Sequence, residues 1–178
     1  PNVLNAEKSE ADLKEWKAIE TLTRKALKEF NDFRLKEGKT LQKDFEERIA
    51  SIKDHLKEIE KIEPGRIKSI KGRLTKSLED LEESALVDKN RFEQELIYYL
   101  EKIDITEEKV RLRSHLSFFL ETMKAPESNG KKLGFILQEI GREINTIGSK
   151  ANDAMIQRSV VGMKDELEKM KEQSANII

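Results

Sequence analysis

Cysteine is absent from this 178-residue chain. That excludes disulfides and thiolate sites, and it suits a reducing compartment, so the cytoplasm is the expected setting. Proline occurs three times, at positions 1, 64 and 126, and glycine eight times. Sheets and tight turns therefore have little to build on. Aromatic residues make up only 6%. No apolar run approaches the roughly 18 residues of a membrane span. No signal-peptide pattern opens the chain either, so no membrane partner is expected. Neither sign of charge prevails: the net charge is −1. A nucleic-acid site would have to be a local patch rather than a property of the whole surface. Familiar catalytic signatures are missing too. There is no P-loop, no Rossmann glycine pattern after a strand, no HExxH and no nucleophile elbow. The chain starts at Pro1 without a methionine, as expected of a piece trimmed from something longer.

What remains is charge and aliphatic residues at helical spacing. Charged residues make up 39% and apolar residues 37%. That balance reads as long helices with narrow apolar seams, not as one deep mixed core. Trp16, Ile19, Thr23, Ala26, Phe30 and Phe33 mark a first amphipathic segment over 10–36, which Gly38 is expected to interrupt. Leu41, Phe45, Ile49, Ile52, Leu56 and Ile59 mark a second, stopped by EPG at 63–65. Ile67, Ile70, Leu74, Leu78 and Leu81 give a third, with a joint at 84–88. Phe92, Leu96, Tyr99 and Ile103 give a fourth. Asp104 and Glu107 form a capping arrangement that opens a fifth, with Leu112, Leu116, Phe119 and Met123. APESNG at 125–130 closes it. A sixth spans about 131–149. SKAND at 149–153 is a turn or a kink. Ile156, Val160, Met163, Leu167 and Met170 form the seam of the last. The expectation is an all-α fold: a long antiparallel helical coiled-coil hairpin (1–84) followed by a C-terminal helical bundle (85–178).

The stretch LQEIGREINTIGSK at 137–150 is unusual for a helix. Glutamates and an arginine crowd one turn, Asn and Thr sit inside, and glycines recur every seven residues. With Ile140 at zero and 100° per residue, Leu133, Ile136, Leu137, Ile144 and Ile147 lie within about 60° of it. Gly134, Gly141 and Gly148 line one flank. Lys132, Glu139, Glu143, Thr146 and Lys150 line the other, and Gln138, Arg142 and Asn145 lie behind. Each interior glycine disfavours the helix by roughly 1 kcal/mol relative to alanine. Close approach of a neighbouring helix would offset that. The charged flank admits two readings: intrahelical ion pairs on a solvated edge, or a carboxylate pair that shares a hard metal ion.

The fifth segment offers a matching set. Glu108, Arg111 and His115 share a face, with Glu108 and His115 within about 20° of each other. They suit the roles of metal ligand, phosphate clamp and general base. The other histidine, His55, sits among lysines on the long N-terminal part. Residues 61–79 carry six Lys or Arg against two Glu. That is either a solvated face or, if RNA is the ligand, a phosphate-contact surface. It has no interleaved aromatics for base stacking.

At these residues a resemblance appears. GKKLGFILQEIGREINTIGSKANDAMIQRSVVGMKDELEKMKEQSANI at 130–177 resembles the C-terminal signature of the YicC/YloC family. DITEEKVRLRSHL at 104–116 is similar to the family's D-I-x-E-E-x-x-R-L-x-S-H, and the Glu-Gly-x-x-L at 37–41 also fits. The likeness is most specific over 104–178. It implies a metal-dependent endoribonuclease, often called stress-induced, with Mn2+ the favoured metal and Mg2+ an alternative. It also implies a further N-terminal domain, and assembly as rings or clamps around RNA, a hexamer being one such ring. The expected partners are RNA and further copies of the chain, not DNA. Carried over by position, the motif residues are Glu107, Glu108, Arg111, Ser114 and His115, then Lys132, Gln138, Glu139, Arg142, Glu143, Asn145, Thr146 and Lys150. Two positions depart from the pattern. Gly134 stands where the family usually has Asp, and Gly141 where it has Asn. Both lie on the glycine flank and are read as changes in helix packing or in a peripheral contact.

Two functions follow as expectations. In the first, His115, Glu139 and Glu143 are catalytic, and a divalent ion sits among Glu107, Glu108, Glu139 and Glu143. RNA is then held by Arg111, Lys132, Gln138, Arg142, Asn145, Thr146 and Lys150. In the second, the chain is a non-catalytic oligomerisation or RNA-clamping module.

Overall fold

The computed structural model describes residues 12–82, 88–125 and 129–175. They form five helices: α1 Leu13–Glu82, α2 Lys89–Lys102, α3 Thr106–Lys124, α4 Gly130–Ala151 and α5 Ala154–Ser174. The all-α class is as expected, and no strand occurs among the described residues. No described helix is long and apolar enough to cross a membrane. Most of the joint expected at 84–88 and the centre of the loop expected at 125–130 lie outside the described residues, as does the side chain of Leu81.

The division of residues 10–81 into three helices, folded as a hairpin, is corrected. α1 is a single helix of 70 residues that runs through both Gly38 and Pro64. A proline inside a helix removes one hydrogen bond and crowds the preceding turn, at about 3 kcal/mol. Here a seam carries the helix across it. Phe45, Ile49, Ile52, Leu56 and Ile59 are all buried, and Glu63 and Arg66 continue the same alternating four-three spacing and are buried too. Pro64 itself is exposed. Each fully buried Ile, Leu or Phe contributes about 1.5–3 kcal/mol. The apolar seam before the proline, and Arg66 bonded to the Ile103 carbonyl just after it, hold the helix across the local defect.

By its contacts the chain separates into two units, residues 1–42 and 43–178. In the first, the described helical residues leave Trp16, Ile19, Leu22, Leu27, Phe30 and Phe33 exposed. The second holds the core. Phe45 meets Phe119 edge to face, with ring centroids 5.3 Å apart. Leu112 and Leu116 of α3, the Leu133–Ile147 stripe of α4, and the Ile156, Val160, Met163, Leu167 and Met170 seam of α5 are all buried. Charged pairs fix α1 against α3 and α5: Glu60 with Arg113, Glu63 with Lys109, and Glu166 with Arg48 at 3.1 Å. Arg48 also grips Asp44 through two bonds of 2.8 Å, which hold its guanidinium charged. The Arg66 guanidinium donates to the Ile103 carbonyl at 2.8 Å, at the end of α2. A longer contact of 3.5 Å reaches the Lys150 carbonyl in the last turn of α4.

The turns follow their side chains. Asp88 accepts from the amides of Asn90 and Arg91 at the start of α2. SKAND proves to be a turn: α4 ends at Ala151, Asn152 adopts a left-handed φ of 40°, and Asp153 caps α5 by accepting from Met155 and Ile156. Asparagine tolerates that backbone region better than most residues.

Two of the three glycines on the α4 flank sit at a close helix crossing. A Cβ at Gly141 would lie 3.1 Å from Leu167, and one at Gly148 would lie 3.1 Å from Val160. Gly134 has open space around it. On α5, a Cβ at Gly162 would run into the His55 imidazole, which places that histidine in a helix–helix contact.

Alanine should therefore act oppositely along one flank. Gly134→Ala should stabilise by up to about 1 kcal/mol through helix propensity. Gly148→Ala should lose that gain to overpacking against Val160, at about 1–3 kcal/mol. Urea denaturation checks both; equal stabilisation would contradict the close crossing. A second expectation concerns acid. Asp104 accepts from the Thr106 amide at 2.8 Å. Its hydrogen bonds to Thr106 hold its carboxyl below the usual carboxylate range. A lowered folded value means stability that is full above the ordinary carboxylate pKa and fades as pH falls through the folded one. The stability gap between the parent and Asp104→Ala should thus be widest at neutral pH and close in acid, as denaturation midpoints across pH would report.

Candidate metal centre

α3 and α4 run antiparallel and in close contact. Seven residues forward on α3 therefore correspond to seven back on α4. This register brings two sets of polar groups together at two levels. At one level, His115 of α3 meets Glu139 and Glu143 of α4. One ligand atom from each of the three lies within 4.8 Å of the others. Glu139 and Glu143 are one turn apart on the flank beside the Ile140–Ile144 stripe, so helical spacing alone aims both carboxylates the same way. At the other level, Lys150 donates to Glu108 at 2.7 Å.

Burial separates the two levels. Glu143 is only 4% exposed. Among the described residues, no hydrogen bond or ion pair reaches its carboxylate. The residue is buried as a whole, but its carboxylate oxygens are not sealed from solvent, so a cation can reach them. His115 is half-buried, and the Glu139 side chain is 48% exposed, with Arg142 at 3.9 Å. The group is therefore more open on the Glu139 side than on the Glu143 side. Imidazole nitrogen with two carboxylates is a donor set that divalent ions of the Mn2+ class accept. Two ligands of one ion held at about 2.1 Å can stand at most about 4.2 Å apart, and three stand closer still, so side chains spread toward the 4.8 Å limit would draw together on binding.

The remaining candidates are placed as follows. Glu108 is buried and takes Lys150, and its second oxygen has no protein partner. Glu107 is exposed and pairs with Arg111 at 2.5 Å. Neither belongs to the His115 group. Lys132 is exposed, its ammonium 4.8 Å from the centre of the Phe118 ring. Gln138, Arg142, Asn145 and Ser114 are exposed, and Thr146 bonds back to the Arg142 carbonyl. Among the expected RNA contacts, Lys150 pairs with a buried carboxylate, whereas Arg111 and Arg142 pair with the more exposed Glu107 and Glu139.

Sequence reasoning missed the polar end of the α1 seam. Glu63 and Arg66 sit where the heptad begun at Phe45 would place apolar residues, and that phase was the available signal.

An all-α bundle with an acidic and imidazole cluster between two antiparallel helices is the class that fold and geometry define. The family model described as Endoribonuclease YicC-like, C-terminal matches residues 59–178, and the chain belongs to this family. It is 36% identical over 179 residues to the Probable endoribonuclease YicC of Clostridioides difficile (strain 630), covering 99% of this chain and 61% of that protein. It is 33% identical over 151 residues to the Probable endoribonuclease YicC of Haemophilus influenzae (strain ATCC 51907 / DSM 11121 / KW20 / Rd), covering 85% of this chain and 52% of that protein. The chain thus spans little more than half the length of these relatives.

A double-mutant cycle separates the two levels. Lys150→Met should destabilise by about 2–3 kcal/mol, below the value for a sealed pair because a third of Lys150 stays in water. Adding Glu108→Gln should restore most of the loss, as urea denaturation would report. A double variant no more stable than Lys150→Met alone would contradict the pairing.

Proposed function

We propose that this chain is the helical part of a divalent-metal-dependent endoribonuclease that cuts RNA phosphodiester bonds, working in the cytoplasm with Mn2+ favoured over Mg2+. The observation that carries the reading is Glu143, a buried residue whose carboxylate has no cationic partner, beside His115 and Glu139. His115, Glu139 and Glu143 hold the ion. When bound, such an ion would polarise a phosphoryl oxygen and ease loss of a proton from the attacking water or 2′-hydroxyl. Glu139, the more exposed carboxylate, takes that proton in this reading. Arg142 reaches the same opening from the exposed side of α4, and moves from Glu139 to a substrate phosphate when RNA arrives. Arg111 and Lys132 extend the cationic rim, and Gln138, Asn145 and Thr146 offer hydrogen bonds to sugar or base.

Single-turnover cleavage of a structured RNA by the full-length protein, with and without Mn2+, tests this. Glu139→Gln and Glu143→Gln should each slow cleavage by about 100-fold or more. His115→Ala should weaken Mn2+ binding about 10–100-fold. Parental rates in both glutamine variants would overturn the assignment.

One observation favours a second reading. The exposed Trp16, Ile19, Phe30 and Phe33 suit burial against other copies, as in a non-catalytic oligomerisation or RNA-clamping module. Sedimentation and RNA binding in the same series decide between the two. Assembly and binding without metal-dependent cutting would support the module.

A further inference from the structure

Beyond Arg66, α1 turns two unlike faces outward. Ile67, Ile70, Leu74 and Leu78 are half-buried on one side. Roughly 120° around the helix lies a shallow depression lined by Lys68, Lys71, Gly72, Thr75, Lys76 and Glu79.

Three features of this depression bear on what it could hold. First, Gly72 is exposed, and a Cβ there would meet nothing within 4 Å. Glycine inside a helix is disfavoured by about 1 kcal/mol relative to alanine, and no internal packing requires it at this position. At Gly141 and Gly148 a neighbouring helix supplies the reason; at Gly72, as at Gly134, no neighbour does, and the backbone is left open to approach from outside. Second, although Glu79 lines the same depression, its lysines form no ion pair among the described residues. Lys57, Lys61, Lys169 and Lys171 each pair with a carboxylate three residues away. Among the described residues, no carboxylate lies within ion-pair distance of Lys68, Lys71 or Lys76. Third, the platform is fixed. Glu60, Glu63 and Arg66 tie α1 to α3 and to the ends of α2 and α4. The depression begins about 12 Å of helical rise beyond Glu60, on the helix braced against the one that carries His115.

We infer that Lys68, Lys71, Gly72, Thr75 and Lys76 form a phosphate-contact surface for RNA, separate from the His115–Glu139–Glu143 group. The glycine floor lets the sugar–phosphate strand approach the helix backbone, and the lysine rim exchanges condensed counterions for ammonium groups. With no aromatic side chain among its lining residues, the surface reads the backbone and not the bases. It engages the strand at a distance from the cutting site and so holds a long substrate while contributing nothing to the chemical step. This inference rests on the RNA reading above.

The test measures anisotropy of a fluorescein-labelled RNA hairpin with a single-stranded tail, in metal-free buffer containing EDTA, across a salt series. Three proteins are compared with the parent: Lys68→Ala/Lys71→Ala/Lys76→Ala, the corresponding triple Lys→Arg, and Gly72→Leu. Three lost phosphate contacts should flatten the slope of log affinity against log salt by about 2, weakening binding about 100-fold at 0.1 M salt. The arginine variant should bind as the parent does. Gly72→Leu should bind several-fold more weakly with the salt slope unchanged, because it fills the floor without altering charge. All sites are exposed, and circular dichroism should show parental helicity. Parental affinity in the alanine variant, while the parent itself binds RNA, overturns this inference and leaves the nuclease reading standing. An alanine variant that changes sedimentation instead of RNA affinity assigns the lysines to a second copy and also overturns it. Failure of the parent to bind RNA removes the RNA reading on which both stand.

Discussion

Everything in the second unit depends on α4 being held from two sides at once. α5 closes on its glycine flank, where Leu167 and Val160 would touch any added methyl at Gly141 and Gly148. α3 closes near its acidic flank, where His115 reaches Glu139 and Glu143. Between the flanks lies the buried aliphatic stripe. A helix pinned in this way cannot rotate to relieve a local cost. Glu143 therefore stays buried though its carboxylate would be better hydrated outside. The glycines and the carboxylates are two halves of one arrangement: small residues on one side fix the rotation that commits acidic residues on the other.

Much of this was legible from residue spacing. The wheel of α4 separated stripe, glycine flank and acidic flank correctly because each follows from 100° per residue and nothing else. The α5 seam was readable for the same reason. Glu108 and His115 were rightly placed on one face of α3, but a shared face does not mean a shared partner. Two turns of rise separate them, and in an antiparallel pair that shift sends one to Lys150 and the other to Glu143. Register between helices comes from packing and is not written in the spacing of either one.

Pro64 was the clearest misreading, and its cause is general. A proline weakens one turn, whereas a seam acts over many. Read locally, EPG is a stop. Read in phase with Phe45 through Ile59, the next two seam positions are Glu63 and Arg66, and both are buried with partners on other helices. Polar residues that keep heptad phase signal a helix that continues into a polar contact. Composition hid this as well, because a chain with 39% charge offers many such residues and few of them are buried.

Arg66 joins parts of the fold that are far apart in sequence. One guanidinium serves the carbonyl ends of α2 and α4 from a position just past a proline in α1. Fraying of α1 beyond Pro64 would thus uncap two other helices in the same event. Amide protons near Ile103 and Lys150 would then exchange with solvent in step with those of α1, a single cooperative opening where three separate ends would otherwise loosen independently.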